Sequence, residues 1–256
     1  MRWQTVTPVV DRDNAPQEFP EARTALMATS ENHLITLLPR SDRSRLRGLS
    51  ESVALTLGDV LAEPGQRTRY VYFPVDAFIS LVTGIGGKPV LEVGMVGREG
   101  MFGVHLLLGV PVAPMHALVQ GSGTALRIGA VSFSRELARS KSLRDVGHRY
   151  LYVLMTQLAT SAACTRFHNV APRLARWLLM SQDRAHANTF RITQEFLAYM
   201  LGVRRVGITA AASQLQRRGL IHYRRGNITV RNRAGLEAAA CSCYAADSEF
   251  YRQQLV

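Results

Sequence analysis

The chain has 256 residues, 47% hydrophobic and 20% charged, with a mean hydropathy near zero. That balance excludes disordered and fibrous classes and allows one or two domains with real cores. Its formal charge of +12 and sequence pI near 10.4 make nucleic acid a candidate partner.

Residues 1–32 are polar and proline-punctuated, and read as a loosely attached arm. Asn32 to Leu38 and Ser41 to Leu49 read as short helices, with Pro39 breaking between them and Ser41 as an N-cap. From residue 52 to 133 short runs of β-branched and aromatic residues predict strands at Val53–Leu57, Tyr70–Phe73, Ala77–Thr83, Val90–Val96, His116–Val119 and Gly123–Ile128. Gly58, Pro64-Gly65, Gly86 to Pro89, Gly97 and Gly121 supply the turns. Several short strands at this spacing indicate a small antiparallel barrel or jelly roll. The segment Gly100 to Leu126 carries no charge and is long enough to span a bilayer, but Gly103, Gly109, Pro111 and Pro114 interrupt any helix through it. Buried strands and turns are expected there, with no membrane span.

From Ser142 to about His168 the period becomes helical. Leu143, Val146, Tyr150, Val153, Leu154, Gln157, Leu158, Ser161 and Ala162 recur at three- and four-residue steps. A helix of about 25 residues, roughly 38 Å at 1.5 Å per residue, outruns a small domain. Its stripe either packs on the barrel or pairs with a copy of itself, and the second reading, a homodimer, is favoured. Pro172 is expected to start the next helix, Arg173 to Gln182, with Leu174, Trp177, Leu178 and Met180 apolar; Phe190 and Ile192 follow as an extended link.

Thr193 is a good N-cap, with Glu195 in the first turn. Phe196, Leu197, Met200 and Leu201 supply apolar faces, Gly202 fits a left-handed C-cap, and Arg204 to Arg217 forms a second helix with Ile208, Ala211, Ala212 and Leu215 inward. Two short helices joined by a glycine turn are the helix-turn-helix signature. Leu220 to Tyr223 and Ile228 to Val230 then read as strands bridged by Arg224-Arg225-Gly226-Asn227, which makes a winged helix. The charge excess is concentrated here. Residues 1–140 hold 14 basic and 13 acidic side chains and 141–256 hold 17 and 6, while 204–233 has eight arginines and no acid.

This layout resembles the Crp/Fnr family of bacterial transcription regulators over about residues 33–240, most strongly in ITQEFLAYMLGVRR, Ile192 to Arg205. LQRRGLI, Leu215 to Ile221, is similar to the family's link from recognition helix to wing. The resemblance implies an α+β fold in four parts: the arm 1–32, a β-roll sensor domain 33–141, a dimerisation helix 142–170 and a winged helix-turn-helix domain 171–256. It implies a non-enzymatic regulator of double-stranded DNA, with RNA polymerase a further candidate partner. Arg205 falls on the family's base-reading arginine, able to contact guanine O6 and N7 together. Val206 and Ala210 replace the family's usual polar readers and are candidates for thymine methyls, with Arg204, Thr209 and Ser213 beside them. Thr193, Arg217, Arg218, Arg224 and Arg225 are assigned to phosphates.

Family members that bind cyclic nucleotides carry a Gly-Glu pair for the ribose and a later arginine for the phosphate. Glu99 is a stand-in for the first, but no arginine occurs between Arg98 and Arg127, which argues against a cyclic nucleotide and leaves the effector unidentified. An iron–sulfur cluster normally needs four cysteines, and the chain has Cys164, Cys241 and Cys243. Three cysteines, an odd number, fit a reducing compartment, and the first residues lack the apolar run of a signal peptide, so a cytoplasmic protein is expected. Cys164 reads as a packing residue. For the C-x-C pair Cys241 and Cys243 a structural role is favoured over metal or redox chemistry. The seven histidines are not grouped like ligands, so neither metal nor cofactor is expected. Two rival classes compete with this reading. A cupin-type β-barrel enzyme with an incidental basic tail needs clustered ligands, a spacing Glu92, His105 and His116 lack. An RNA binder needs aromatics among its arginines, and Tyr223 is the one on offer.

Overall fold

A computed structural model describes residues 31–84, 91–185 and 187–256. The expected arm, except for its last two residues, and the turn at Gly86 to Pro89 lie outside the described residues. Asn32 caps α1 (His33–Thr36) by accepting from the Leu34 amide, and its buried side-chain amide donates to the carbonyls of Pro74 and Gly100. Helix α2 (Arg40–Gly48) starts earlier than expected: Pro39 holds the N-cap position, and the Ser41 hydroxyl turns to Asp42 instead of capping.

Among the described residues seven strands follow: β1 (Glu51–Leu55), β2 (Val60–Ala62), β3 (Tyr70–Pro74), β4 (Phe78–Thr83), β5 (Leu91–Val96), β6 (His116–Gly121) and β7 (Gly123–Gly129). They form two antiparallel sheets, ordered β1-β7-β3 and β2-β6-β4-β5. Leu55, Tyr72, Ile79, Leu81, Val96, Val119 and Ala125, drawn from both sheets, share one core. Full burial of such side chains is worth about 1.5–3 kcal/mol each. Strand β2 is absent from the sequence prediction, because three residues are too few to display an alternation. The uncharged segment becomes β6, part of β7 and a 3₁₀ turn at Val104–Leu108 flanked by left-handed Gly103 and Gly109. Among the described residues no helix is long and apolar enough to cross a membrane.

Helix α3 (Ala130–Arg139) fills a stretch with no predicted element, and buries Phe133 and Leu137. Ser140 caps α4 (Lys141–Phe167) by accepting from the Leu143 amide. The upper part of the stripe expected at the subunit contact is already covered within the chain. Leu143, Val146, Tyr150, Val153 and Leu154 are buried within the chain itself. Gln157 accepts from the Met95 amide, Leu158 lies beside Gly94, and Ser161 accepts from Arg176. Leu143, Val146, Tyr150, Val153 and Leu154 therefore pack in the protomer's own core, whereas Gln157, Leu158 and Ser161 remain half-buried.

Helix α5 (Val170–Ala185) begins before Pro172, which sits in the first turn where a missing N–H leaves no helical bond unmade. The expected start at Arg173 is late for that reason. Then come β8 (Thr189–Arg191), α6 (Gln194–Leu201), α7 (Arg205–Arg217), β9 (Ile221–Arg224), β10 (Asn227–Val230), α8 (Arg233–Ala239) and α9 (Cys243–Leu255). The extended link is thus a third strand of the wing sheet, ordered β8-β10-β9. Helix α9 turns back along α4, with Leu255 in one core with Leu34, Ile35, Phe133 and Tyr150. Its packing lies with the N-terminal part of the molecule, although the sequence places it in the segment 171–256.

The β-roll and the C-terminal helices also share apolar surface. Phe78, Val82 and Met95 join Trp177, Leu178, Met200 and Leu201 in one cluster. Glu92 on β5 is half-buried at that seam, accepting from the Trp177 indole at 2.9 Å and from the Ser80 hydroxyl. Burial, only partly offset by those two hydrogen bonds and by Arg184 and Arg176, raises its carboxyl to about 7.

Candidate nucleic-acid interface

Helix α6 begins where Thr193 accepts from the Phe196 amide at 3.2 Å. It ends at Gly202, whose φ of +63° is a conformation that a Cβ disfavours. The Val203 amide donates back to the Ala198 carbonyl at 2.9 Å, which sets the angle at which the chain enters α7. Ile208, Ala211, Ala212 and Leu215 are buried on the inner face of α7, the face its period predicts.

The opposite face is open. Arg204, Arg205, Val206, Thr209, Ala210 and Ser213 are all exposed, Val206 at 72%. Arg204 is the N-cap residue and Arg205 the first residue of α7, so both stand at the helix start. The Thr209 hydroxyl donates to the Gln194 side chain at 2.7 Å, which ties α7 to α6 and leaves its methyl and lone pairs for a ligand.

The wing is held against this helix. The Gln216 side-chain carbonyl accepts from the Tyr223 amide at 2.7 Å, and the Tyr223 hydroxyl donates to the Ile192 carbonyl at 2.9 Å. Burial raises the Tyr223 pKa while the Arg205 charge opposes the rise, so Arg205 is electrostatically in touch with β9. Arg224 pairs with Asn227 across a two-residue turn, Arg225-Gly226, in which both φ angles are positive, +47° and +77°. That is the turn whose twist suits a tight hairpin, and Arg225 accepts an unfavourable backbone conformation in it.

Arg217, Arg218, Arg224 and Arg225 are exposed, and so are Thr193, Arg191 and Arg231. None of the seven arginines from 204 to 231 belongs to an ion pair among the described residues, whereas Arg233 is held by Asp183 at 2.7 Å and Glu237 at 2.9 Å. Helix start, helix end and wing therefore present uncompensated positive charge in one domain. Such a surface suits a polyanion: guanidiniums at base edges discriminate, and those on phosphates hold the backbone.

In the β-roll, Glu99 is already engaged. Its carboxylate accepts from the Gly97 amide at 3.1 Å and pairs with Arg184 of α5 at 2.8 Å. A cavity of about 230 Å³ lies there, walled by Arg98, Glu99, Tyr150, Gln157, Arg184 and Tyr251. It is smaller than the roughly 300–1,000 Å³ usual for small-molecule sites. The Tyr251 hydroxyl of α9 reaches the Glu99 carbonyl at 3.0 Å and His33 at 2.6 Å. Of the residues a cupin-type site would draw on, His105 meets Thr68 at 2.7 Å and Glu92 serves the domain seam, so each has a structural partner.

Residues 172–239 match the Crp-like helix-turn-helix domain. No curated protein matches the chain. Its fold is that of Crp/Fnr transcription regulators of known structure. FixK2 from Bradyrhizobium japonicum aligns with a TM-score of 0.63 at 15% identity, covering 75% of this chain and 98% of that one. A CRP-family transcriptional regulator from Thermus thermophilus gives 0.62 at 17% identity, covering 73% and 96%. The c-di-GMP responsive regulator CLP of Xanthomonas campestris gives 0.59 at 16% identity, covering 75% and 99%.

Proposed function

We propose that the chain is a sequence-specific DNA-binding transcription regulator of the Crp/Fnr type, acting in the cytoplasm as a homodimer on a two-fold symmetric operator. The observation that carries this reading is the run of exposed arginines without acidic partners across the start of α7, its end and the wing. Arg205 reads a base pair from the start of α7, flanked by Arg204, Val206, Thr209, Ala210 and Ser213. Thr193, Arg217, Arg218, Arg224 and Arg225 hold phosphates.

The dimer uses the outward face of α4. His148, Tyr152, Met155, Ala159, Ala162 and Arg166 follow one another at alternating steps of four and three, and all are exposed. That is the spacing of a coiled-coil seam, and the two alanines allow close approach. Half-site centres then fall about 34–36 Å apart. A cyclic nucleotide is disfavoured as the signal, since no arginine occurs between Arg98 and Arg127 to take its phosphate and Glu99 is paired with Arg184. RNA polymerase is the remaining proposed partner.

The two classes of arginine are separable by experiment. On a preferred duplex Arg205→Ala is expected to cost about 1–3 kcal/mol and relax choice at one base pair, whereas Arg225→Ala weakens specific and random DNA alike and flattens the salt slope by about one. Equal losses on specific and random DNA for both variants would overturn the assignment.

A further inference from the structure

At its C-terminal end α4 closes in a helical turn that places Cys164 and His168 four residues apart on one face. The loop from α8 to α9 brings Cys241 and Cys243 to the same point, although 77 residues separate Cys164 from Cys241. The Cys164 and Cys241 sulfurs lie 3.5 Å apart, and the Cys243 sulfur lies 3.5 Å from Nδ1 of His168. One ligand atom from each of the four residues lies within 4.8 Å of all the others. The three cysteines are buried and unbridged, and His168 is half-buried.

The two 3.5 Å separations match one chemistry, and the remaining pairs, all within 4.8 Å, lie about one ångström or less outside it. A tetrahedral ion with metal–sulfur bonds of about 2.3 Å and a metal–nitrogen bond of about 2.0–2.1 Å sets sulfurs about 3.8 Å apart and sulfur from nitrogen about 3.6 Å apart. A disulfide would need about 2.05 Å between sulfurs, and a multi-iron cluster would need its thiolates spread around several metal atoms. Four ligands closing on one point leave no open position, which marks a structural rather than a catalytic site. Thiolates with an imidazole select a soft or borderline ion. Charge is provided for as well. Three thiolates around a dication leave one net negative charge, and the buried Arg173 and Arg176 stand near enough for their charges to act on Cys164 and Cys241.

We propose that Cys164, His168, Cys241 and Cys243 form a four-ligand structural zinc site. It fastens the end of α4 to the loop that launches α9, beside the start of α5. The site thereby pins the joint between the long helix and the DNA-binding domain, and holds α9 along α4 at its first residue. This inference stands independently of the DNA-binding reading.

The test uses the full-length chain, purified under reducing conditions without a metal-affinity tag, dialysed, and analysed for metal by mass spectrometry. About one zinc per chain is expected. Exchange with cobalt(II) should give the visible absorption of tetrahedral cobalt together with thiolate-to-cobalt charge transfer. Cys164→Ser and Cys243→Ser should each cut retained zinc several-fold. Because loss of a ligand can also prevent folding, metal content and the cobalt spectrum of the unaltered chain decide the matter alone. No zinc above background with no tetrahedral cobalt spectrum would overturn the proposal. So would a Cys164–Cys241 disulfide in chain whose free thiols are alkylated at lysis, before any reductant is added.

Discussion

Glu92 offers the sharpest energetic prediction, because its carboxylate is enclosed between β5 and α5, where it accepts from Ser80 and Trp177. Its folded-state value of about 7 stands above the ordinary 4.5 for reasons led by burial. At about 1.4 kcal/mol per pH unit that difference corresponds to about 3 kcal/mol. The sign follows from proton counting. Below about pH 4.5 folded and unfolded chains both hold the proton, and the contribution is fully present. Between about pH 4.5 and 7 the unfolded chain releases it while the folded chain keeps it, so stability falls as pH rises and levels off above 7. Glu92→Gln retains a carbonyl acceptor for the Trp177 indole but does not titrate. Urea unfolding of both proteins at several pH values from 4.5 to 8 should show the variant gaining about 3 kcal/mol relative to wild type across that range. Every other ionisable group is common to the two proteins and cancels in the difference. A stability difference that stays constant with pH would refute the reasoning.

Three further outcomes are expected. Gly202→Ala would place a Cβ 2.8 Å from the Leu91 side chain in a left-handed residue, and should lose about 1–2 kcal/mol by thermal unfolding. Met155→Glu changes a side chain that is 59% exposed in the single chain, so the helical circular-dichroism signal should persist while sedimentation shifts from dimer to monomer. Arg225→Asn suits the left-handed turn position better than arginine, and should keep or slightly raise stability while weakening DNA binding on all sequences, read by duplex titration at two salt concentrations.

The winged domain is legible in the sequence because its signals are local. Thr193, Gly202 and the inward Ile208, Ala211 and Leu215 are each fixed by neighbours within a turn or two, and the structure uses them as the spacing predicts. Six strands are legible within a few residues for the same reason. What depends on distant partners is not. The period of α4 reveals an apolar face but does not say whether a copy of the chain or the β-roll covers it; Leu143, Val146, Tyr150, Val153 and Leu154 are covered within the chain, and the outward seam proposed for the dimer is too rich in alanine and polar residues to stand out. Helix α9 has weak apolar contrast, so its return to α4 is invisible in the sequence. The cysteine and histidine ligands look scattered along the chain because folding alone brings them together. A pairing of C-x₃-H at a helix end with a later C-x-C is the signal that was available.

The most direct test of the account is selection of bound duplexes from a random pool by the full-length protein at a stated salt concentration. The account predicts enrichment of a two-fold symmetric sequence with half-site centres about one helical turn apart, and loss of preference at one position of each half-site in Arg205→Ala. Recovery of no sequence preferred over random DNA, or of a single unsymmetric site bound by a monomer, would contradict it.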